Sequence, residues 1–349
     1  MDPKQLKALQ WKVFENVAAA SLVPLMRIGD ELKLFSTLTE CGPADSATFA
    51  KAAGIHARYA LEWLSALAAA GYISYDAEKN QFFMTEEQTA VFADENSNAL
   101  MIGAYDSLAA GVLDEPKIRA AFKTGEGVAW GEHHNCYFRG TARFFKPTYK
   151  GNLIQRWLPK IPQLVSILES GGSFADVGCG HGISTMLIAE NYPKAQVFGF
   201  DFHGPSIEEA SKLAEQAGLG NRITYTTKNA KEYQGPFDSI AFFDCLHDMG
   251  DPVGAAAHAY TQLKDDGILV LIEPFASENL KDNLTVVGQM FYCASTTGCV
   301  PASLAQEVGL ALGAQAGPAR LTHVLQEAGF KTVEIVTTTA TNMVLCAKK

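Results

Sequence analysis

The chain has 349 residues, 48% apolar and 19% charged, with 28 Lys and Arg against 38 Asp and Glu, for a formal net charge of −10. That length exceeds one ordinary compact domain, and the composition supports sizeable cores rather than disorder. The acidic balance argues against nucleic-acid or anionic-membrane partners, no apolar run approaches the ~18 residues of a spanning helix, and seven cysteines without CxxC spacing fit reduced cytoplasmic thiols.

The start Met1-Asp2-Pro3-Lys4 does not read as a signal peptide. Residues 4–20 place Leu6, Leu9, Val13, Phe14 and Val17 at helical spacing, an apolar stripe that needs a partner surface, either on its own domain or on a second subunit. From Leu22 to about Ala93 the pattern is three helices and two short strands. Phe49–Ile55 and Arg58–Ala70 resemble a helix-turn-helix with Gly54 in the turn, and Gly71–Tyr75 and Gln81–Thr85 form a wing-like hairpin. The would-be recognition helix offers His56 and Arg58 at its start and Glu62 within. That lacks the cationic density duplex DNA requires, so packing or dimerisation is the expected role. Residues 94–150 end in Trp130-Gly131-Glu132-His133-His134-Asn135-Cys136-Tyr137-Phe138 and Phe144-Phe145-Lys146-Pro147-Thr148-Tyr149. Adjacent ligand types share no helix face and no HxxxH or CxxC accompanies them, so no metal is expected. An aromatic pocket wall for a small organic molecule is the functional reading and an interdomain core the bland one.

From Ser173 strands and helices alternate: strands at Phe174–Val177, Gln196–Phe200, Ile223–Thr226, Ser239–Phe243 and Gly267–Ile272, with helices near 183–190, 206–217, 253–263 and 318–328. Apolar strands alternating with helices imply a parallel sheet covered on both faces. The last two strands, Val333–Thr338 and Asn342–Ala347, are joined by only Thr339-Ala340-Thr341, too short for a parallel crossover, and pair directly as a hairpin. Pro274–Gly317 is a long insertion with a helical pattern of its own.

The chemistry concentrates at strand ends. Asp176, Gly178, Cys179, Gly180 and Gly182 form a loop with glycine at alternate positions, opening a helix. The spacing is GxGxG rather than the GxGxxG of dinucleotide folds, and Asp176 would repel a pyrophosphate, which speaks against a nicotinamide dehydrogenase. A carboxylate there suits a cationic ligand instead. Asp201 ends the second strand, where a carboxylate accepts both ribose hydroxyls. Phe202 is placed to lie against an adenine face, with Asn229 and Ala230 near the adenine edge.

This set resembles the class I S-adenosylmethionine-dependent methyltransferases over nearly the whole chain. It is more closely similar to small-molecule O-methyltransferases with an N-terminal winged-helix dimerisation domain, bacterial members above all, on the stretch Phe242-Phe243-Asp244-Cys245-Leu246-His247-Asp248-Met249-Gly250-Asp251-Pro252. The resemblance implies an α/β, Rossmann-like seven-stranded methyltransferase sheet with an antiparallel last strand. It also implies a mainly helical winged-helix domain in residues 1–150, a methyltransferase domain in 151–349 with a substrate lid in 274–317, a cytoplasmic homodimer, and S-adenosylmethionine as donor. Asp244 would help hold the donor's amino-acid end. His247 would be the general base toward a hydroxyl, oriented by Glu273; an imidazole titrating near neutrality suits that task. Glu132, His133, Tyr149, Met290, Phe291 and Tyr292 are the expected acceptor pocket. Plant members carry a second glutamate where this chain has Gln315, an amide that cannot share a proton's charge, so S-, N- or C-methylation stays open. A ligand-sensing winged-helix regulator is the alternative from another class.

Overall fold

A computed structural model describes residues 1–349. By backbone proximity they divide into two units, Met1–Ala110 with Arg139–Pro147, and Gly111–Phe138 with Thr148–Lys349.

The first unit opens with α1 (Pro3–Ser21), capped by Asp2, whose carboxylate accepts from Lys4 N at 2.8 Å. After α2 (Val23–Glu31) and α3 (Leu34–Cys41) come α4 (Ser46–Ala53) and α5 (Ala57–Ala69), turned at Gly54 with φ 65°. The strands β1 (Ser74–Asp76) and β2 (Gln81–Phe83) pair antiparallel, and Ala44 bridges to Phe82. This is the expected helix-turn-helix and wing. Met26, Phe35, Leu38, Phe49, Trp63, Leu64 and Leu67 form its core, and the Trp63 indole N–H donates to Leu25 O at 2.9 Å. The helix α6 (Glu86–Phe92) begins with a capping box from Thr85 and Gln88. α7 (Gly103–Leu113) follows.

The second unit contains α8 (Glu115–Thr124), parts of α9 (Cys136–Asn152), and α10 (Pro162–Ser170). Its seven-stranded sheet is built from β3 (Ser173–Val177), β4 (Gln196–Asp201), β5 (Ile223–Thr227), β6 (Phe237–Phe243), β7 (Leu263–Pro274), β8 (Thr332–Thr338) and β9 (Asn342–Lys348), in the order β5-β4-β3-β6-β7-β9-β8. The first five strands in chain order pair parallel; β9 runs antiparallel to both β7 and β8. The short Thr339–Thr341 link therefore makes the hairpin its length demanded. Phe174, Ala175, Ile240, Phe242, Leu269, Leu271 and Leu345 are fully buried, as a sheet covered on both faces requires. The helices α11 (Ile183–Asn191), α12 (Gly204–Gln216) and α13 (Pro252–Gln262) connect the parallel strands. The insertion holds α14 (Val286–Ala294), a π-helical turn Ser295–Cys299 and α15 (Val300–Leu304), and α16 (Gly317–Glu327) leads to β8. Strand order reverses between β3 and β6, so the carboxyl ends of these strands open a crevice where α/β sheets bind ligands.

Candidate active site at the carboxyl edge of the sheet

Gly178, Gly180 and Gly182 have φ of 78°, 53° and 73°, the left-handed region that costs a side-chain-bearing residue about 1–2 kcal/mol. The three are not equivalent. A Cβ on Gly178 would lie 2.7 Å from Cys245 Sγ and one on Gly182 2.2 Å from the Tyr225 hydroxyl, whereas one on Gly180 meets nothing within 4 Å. Two glycines thus let the protein close on itself, and the third faces open space that a ligand can use. Cys179 between them is buried, and its thiol is pushed well up by burial and then by Asp176.

Asp176, next to last in β3, is fully buried. One oxygen accepts from the hydroxyls of Ser184 at 2.6 Å and Thr185 at 2.7 Å; the other has no partner. Burial raises its carboxyl to about 6, with the two hydroxyls pulling it back and Asp201 adding to the rise. An orphaned buried carboxylate oxygen beside a side-chain-free loop fits a cationic ligand. Asp201 accepts from Gly180 N at 2.9 Å and His203 N at 2.8 Å, so the acid that ends β4 also ties down the loop. Each of its oxygens keeps a further lone pair for a hydroxyl. Phe202 is half exposed; Asn229 is exposed and accepts from Lys231 N at 3.1 Å, and Ala230 packs on the core.

At the end of β6, Asp244 takes φ 50°, a position Asp tolerates better than most residues. Its carboxylate accepts from the Tyr149 hydroxyl and from Asn342 Nδ2 at 3.2 Å, and burial, then Glu273, pushes it up to about 7. Tyr149, expected in the acceptor pocket, is thus committed to Asp244. The next turn buries His247, whose Nδ1 bonds Glu273 Oε2 while Nε2 lies 3.2 Å from Asp248 Oδ1. Glu273, at the end of β7, also accepts from Leu246 N at 2.9 Å. Burial opposes the imidazolium, but Asp248 and Glu273 outweigh it, so the ring is held well above its ordinary value.

The remaining expected pocket residues are dispersed. Glu132 is exposed and contributes its carbonyl to Lys117 Nζ. His133 is buried, with Nδ1 3.2 Å from Asp114 Oδ2 and Nε2 unpartnered. Phe291 is buried against Cys299 and Ala314, Tyr292 is half-buried and Met290 is 38% exposed. Gln315 donates to Ala314 O at 3.0 Å. Sequence reasoning missed Asp114, Tyr137, His203 and Cys299. Tyr137 sits 5.0 Å from the His133 ring, and Phe138 stacks on His203 at 4.6 Å beside the Asp201 corner. The aromatic spacing of 130–138 was a signal for Tyr137; Asp114, His203 and Cys299 lie outside that segment and had none.

Comparison with known proteins bears on the fold. Residues 168–329 match the family described as Methyltransferase domain, and residues 19–93 the Rv2258c-like winged HTH domain. A curated relative, methyltransferase ungE' of Aspergillus campestris (strain IBT 28561), is 35% identical over 76 residues, 21% of this chain and 22% of its own. The chain spans about a fifth of the length of the first curated relatives it matches. Among solved structures, the mitomycin 7-O-methyltransferase MmcR superposes with a TM-score of 0.71 at 17% identity, covering 100% of both chains. Human N-acetylserotonin methyltransferase in complex with SAM gives 0.69 at 16% identity, covering 97% of each. At such identities the likeness is one of fold. The chain thus carries a methyltransferase domain preceded by a winged-helix domain of the Rv2258c-like kind.

Proposed function

We propose that this protein methylates the oxygen of a small hydroxylated or phenolic acceptor, with His247 as general base. The observation that carries the reading is the buried His247–Glu273 pair beside the glycine loop. When bound, S-adenosylmethionine supplies an electrophilic methyl group. Gly178, Cys179, Gly180 and Gly182 would leave room for it, Asp176 and Asp244 would face its cationic amino-acid end, and Asp201, Phe202, Asn229 and Ala230 would hold the adenosine. Because Nδ1 is engaged by Glu273, the neutral ring would take the acceptor's proton at Nε2, where Asp248 Oδ1 at 3.2 Å then faces the new N–H. Glu273 then faces the imidazolium that forms, and alignment with exclusion of water supplies much of the remaining acceleration. His133, Met290, Phe291 and Tyr292 are proposed to line the acceptor side, with 274–317 as its lid. We further assign residues 1–150 to dimerisation and 151–349 to donor binding, in a cytoplasmic homodimer. Gln315 favours keeping sulfur, nitrogen or carbon acceptors as the second reading, because they need less help from a base.

Calorimetry with S-adenosylmethionine and its demethylated product tests the donor site, and absence of binding at millimolar ligand sinks it. Turnover assays against phenols, thiols and amines then identify the acceptor atom. His247→Ala is expected to lower turnover of a hydroxyl acceptor by about 10²–10⁴-fold with donor affinity nearly unchanged. Equal turnover in that variant removes the histidine from the mechanism.

A further inference from the structure

The turn after β6 and the π-helical turn of the insertion bring together three side chains that no sequence spacing connects. His247, Asp248 and Cys299 each offer one ligand atom, and these lie within 4.8 Å of one another. His247 and Cys299 are buried and Asp248 partly so. The Nε2–Oδ1 separation is 3.2 Å; the ligand–ligand edge of a tetrahedral site with zinc–nitrogen and zinc–oxygen bonds is about 3.3 Å. Asp248 Oδ1 is buried and makes no well-formed hydrogen bond beyond its 3.2 Å approach to Nε2. Behind the ring, Glu273 engages Nδ1 and is itself fixed by the Leu246 N–H. A carboxylate in that place orients a histidine ligand and strengthens it as a donor. One thiolate, one imidazole and one carboxylate with a fourth position open suit zinc, whereas magnesium and calcium call for oxygen alone.

We propose that His247, Asp248 and Cys299 bind one zinc-class divalent cation and that this cation inhibits methyl transfer, the second half resting on His247 acting as the base. Binding breaks the Cys299 S–H bond and the Nε2–H bond of a protonated His247 ring, forms metal–sulfur and metal–nitrogen bonds and releases both protons to solvent, with no change of oxidation state. The Nε2 lone pair then belongs to the metal, so metal and acceptor proton compete for one atom. The sequence reading expects no metal in the chain, argued on the 132–136 segment; this cluster lies elsewhere, spans two distant elements and departs from that expectation.

Chelator-washed protein titrated with Co²⁺ is expected to take up one equivalent, with a thiolate-to-cobalt charge-transfer band and tetrahedral visible bands that Zn²⁺ abolishes. Cys299→Ser should lose the charge-transfer band while still binding the demethylated donor, which shows that the variant is folded. Glu273→Gln should weaken Co²⁺ binding by about 10–100-fold. No such band in wild-type protein, or a band that survives in Cys299→Ser, overturns the site. Zn²⁺ should depress turnover of a hydroxyl acceptor, and its inhibition midpoint should rise about tenfold or more in Asp248→Asn; stimulation by Zn²⁺ overturns the inhibitory half. If calorimetry detects no donor binding, the methyltransferase reading fails, while the cobalt spectrum still decides the metal site.

Discussion

Asp176 and the glycines show how single residues divide the labour of the cleft. The folded carboxyl of Asp176 stands at about 6 against an ordinary 3.8, because burial outweighs the Ser184 and Thr185 hydroxyls. The folded state therefore holds this proton more tightly. Its contribution to stability is fully present below 3.8 and is lost as pH rises through about 6. A cationic donor prefers the ionised form, so its binding works in the opposite sense. S-adenosylmethionine affinity is expected to rise by up to about tenfold per pH unit approaching pH 6 and to level off above about 7. Calorimetry across pH checks this, and a profile that is flat through 6 removes Asp176 from donor binding. His247 gives a second titration: a base must be neutral, and Asp248 and Glu273 hold its proton above the ordinary 6.5 despite burial. The acid limb of turnover should accordingly lie above 6.5. Gly180 and Gly182 separate space from strain. Gly182→Ala forces a Cβ against the Tyr225 hydroxyl and should lower the melting temperature, whereas Gly180→Ala pays chiefly the left-handed penalty of about 1–2 kcal/mol. The same Gly180 methyl projects into the open side of the loop, so its loss of donor affinity should exceed that of stability, read by calorimetry and thermal melts together.

Among the elements, the turn carrying His247 is clasped by the end of the insertion. Ser303 Oγ donates to Met249 O at 2.8 Å and accepts from Ala311 N at 3.0 Å, while Gln306 Nε2 donates to Asp248 O at 3.0 Å. Gly313 N reaches His247 O at 3.3 Å. Ser303 is fully buried, so Ser303→Ala strands a backbone carbonyl and a backbone N–H and is expected to cost about 1–3 kcal/mol in denaturant unfolding. It should reduce turnover by loosening the His247 turn; unchanged stability would show the clasp to be incidental. The strand ends were legible because strand, carboxylate and glycine follow one another in the chain, and a sheet puts successive strand ends on one edge. Asp176, His247 and Glu273 are local in that sense. The strand β7 begins four residues before its expected start at Gly267, because the polar Lys264-Asp265-Asp266 run reads as a loop, yet Lys264 is anchored to Asp238 at 2.8 Å on the neighbouring strand. The acceptor side was illegible for a different reason. Cys299 and Tyr137 belong to helices far apart in sequence, and the two elements close up at Gly298, where a Cβ would sit 2.1 Å from the Tyr137 hydroxyl. Helical periodicity reports which face is apolar, not which distant turn it will touch.

The molecule as a whole leaves one element unaccounted for within a single chain. α1 runs 19 residues with none buried, and Leu9, Trp11, Val13, Phe14 and Val17 are all more than half exposed. Trp11 and Phe14 stack at 5.5 Å on that surface. Most helical stability in proteins comes from packing an apolar face rather than from propensity, so its order in solution depends on burying the stripe. Each of these side chains contributes about 1.5–3 kcal/mol when fully buried, enough together to offset ordering a helix and joining two chains. The proposed partner is a second copy, because self-association needs no other protein to be present and the candidate recognition helix has its Arg58 paired with Glu62. Sedimentation equilibrium should therefore give twice the 37.6 kDa of one chain. Phe14→Glu combined with Val17→Glu should dissociate it while leaving donor affinity in the sheet unit unchanged. The net charge of −10 on each copy makes the two repel, so added salt should tighten the dimer by screening. A dimer that weakens as salt is raised would put ion pairs, rather than the α1 stripe, at the interface.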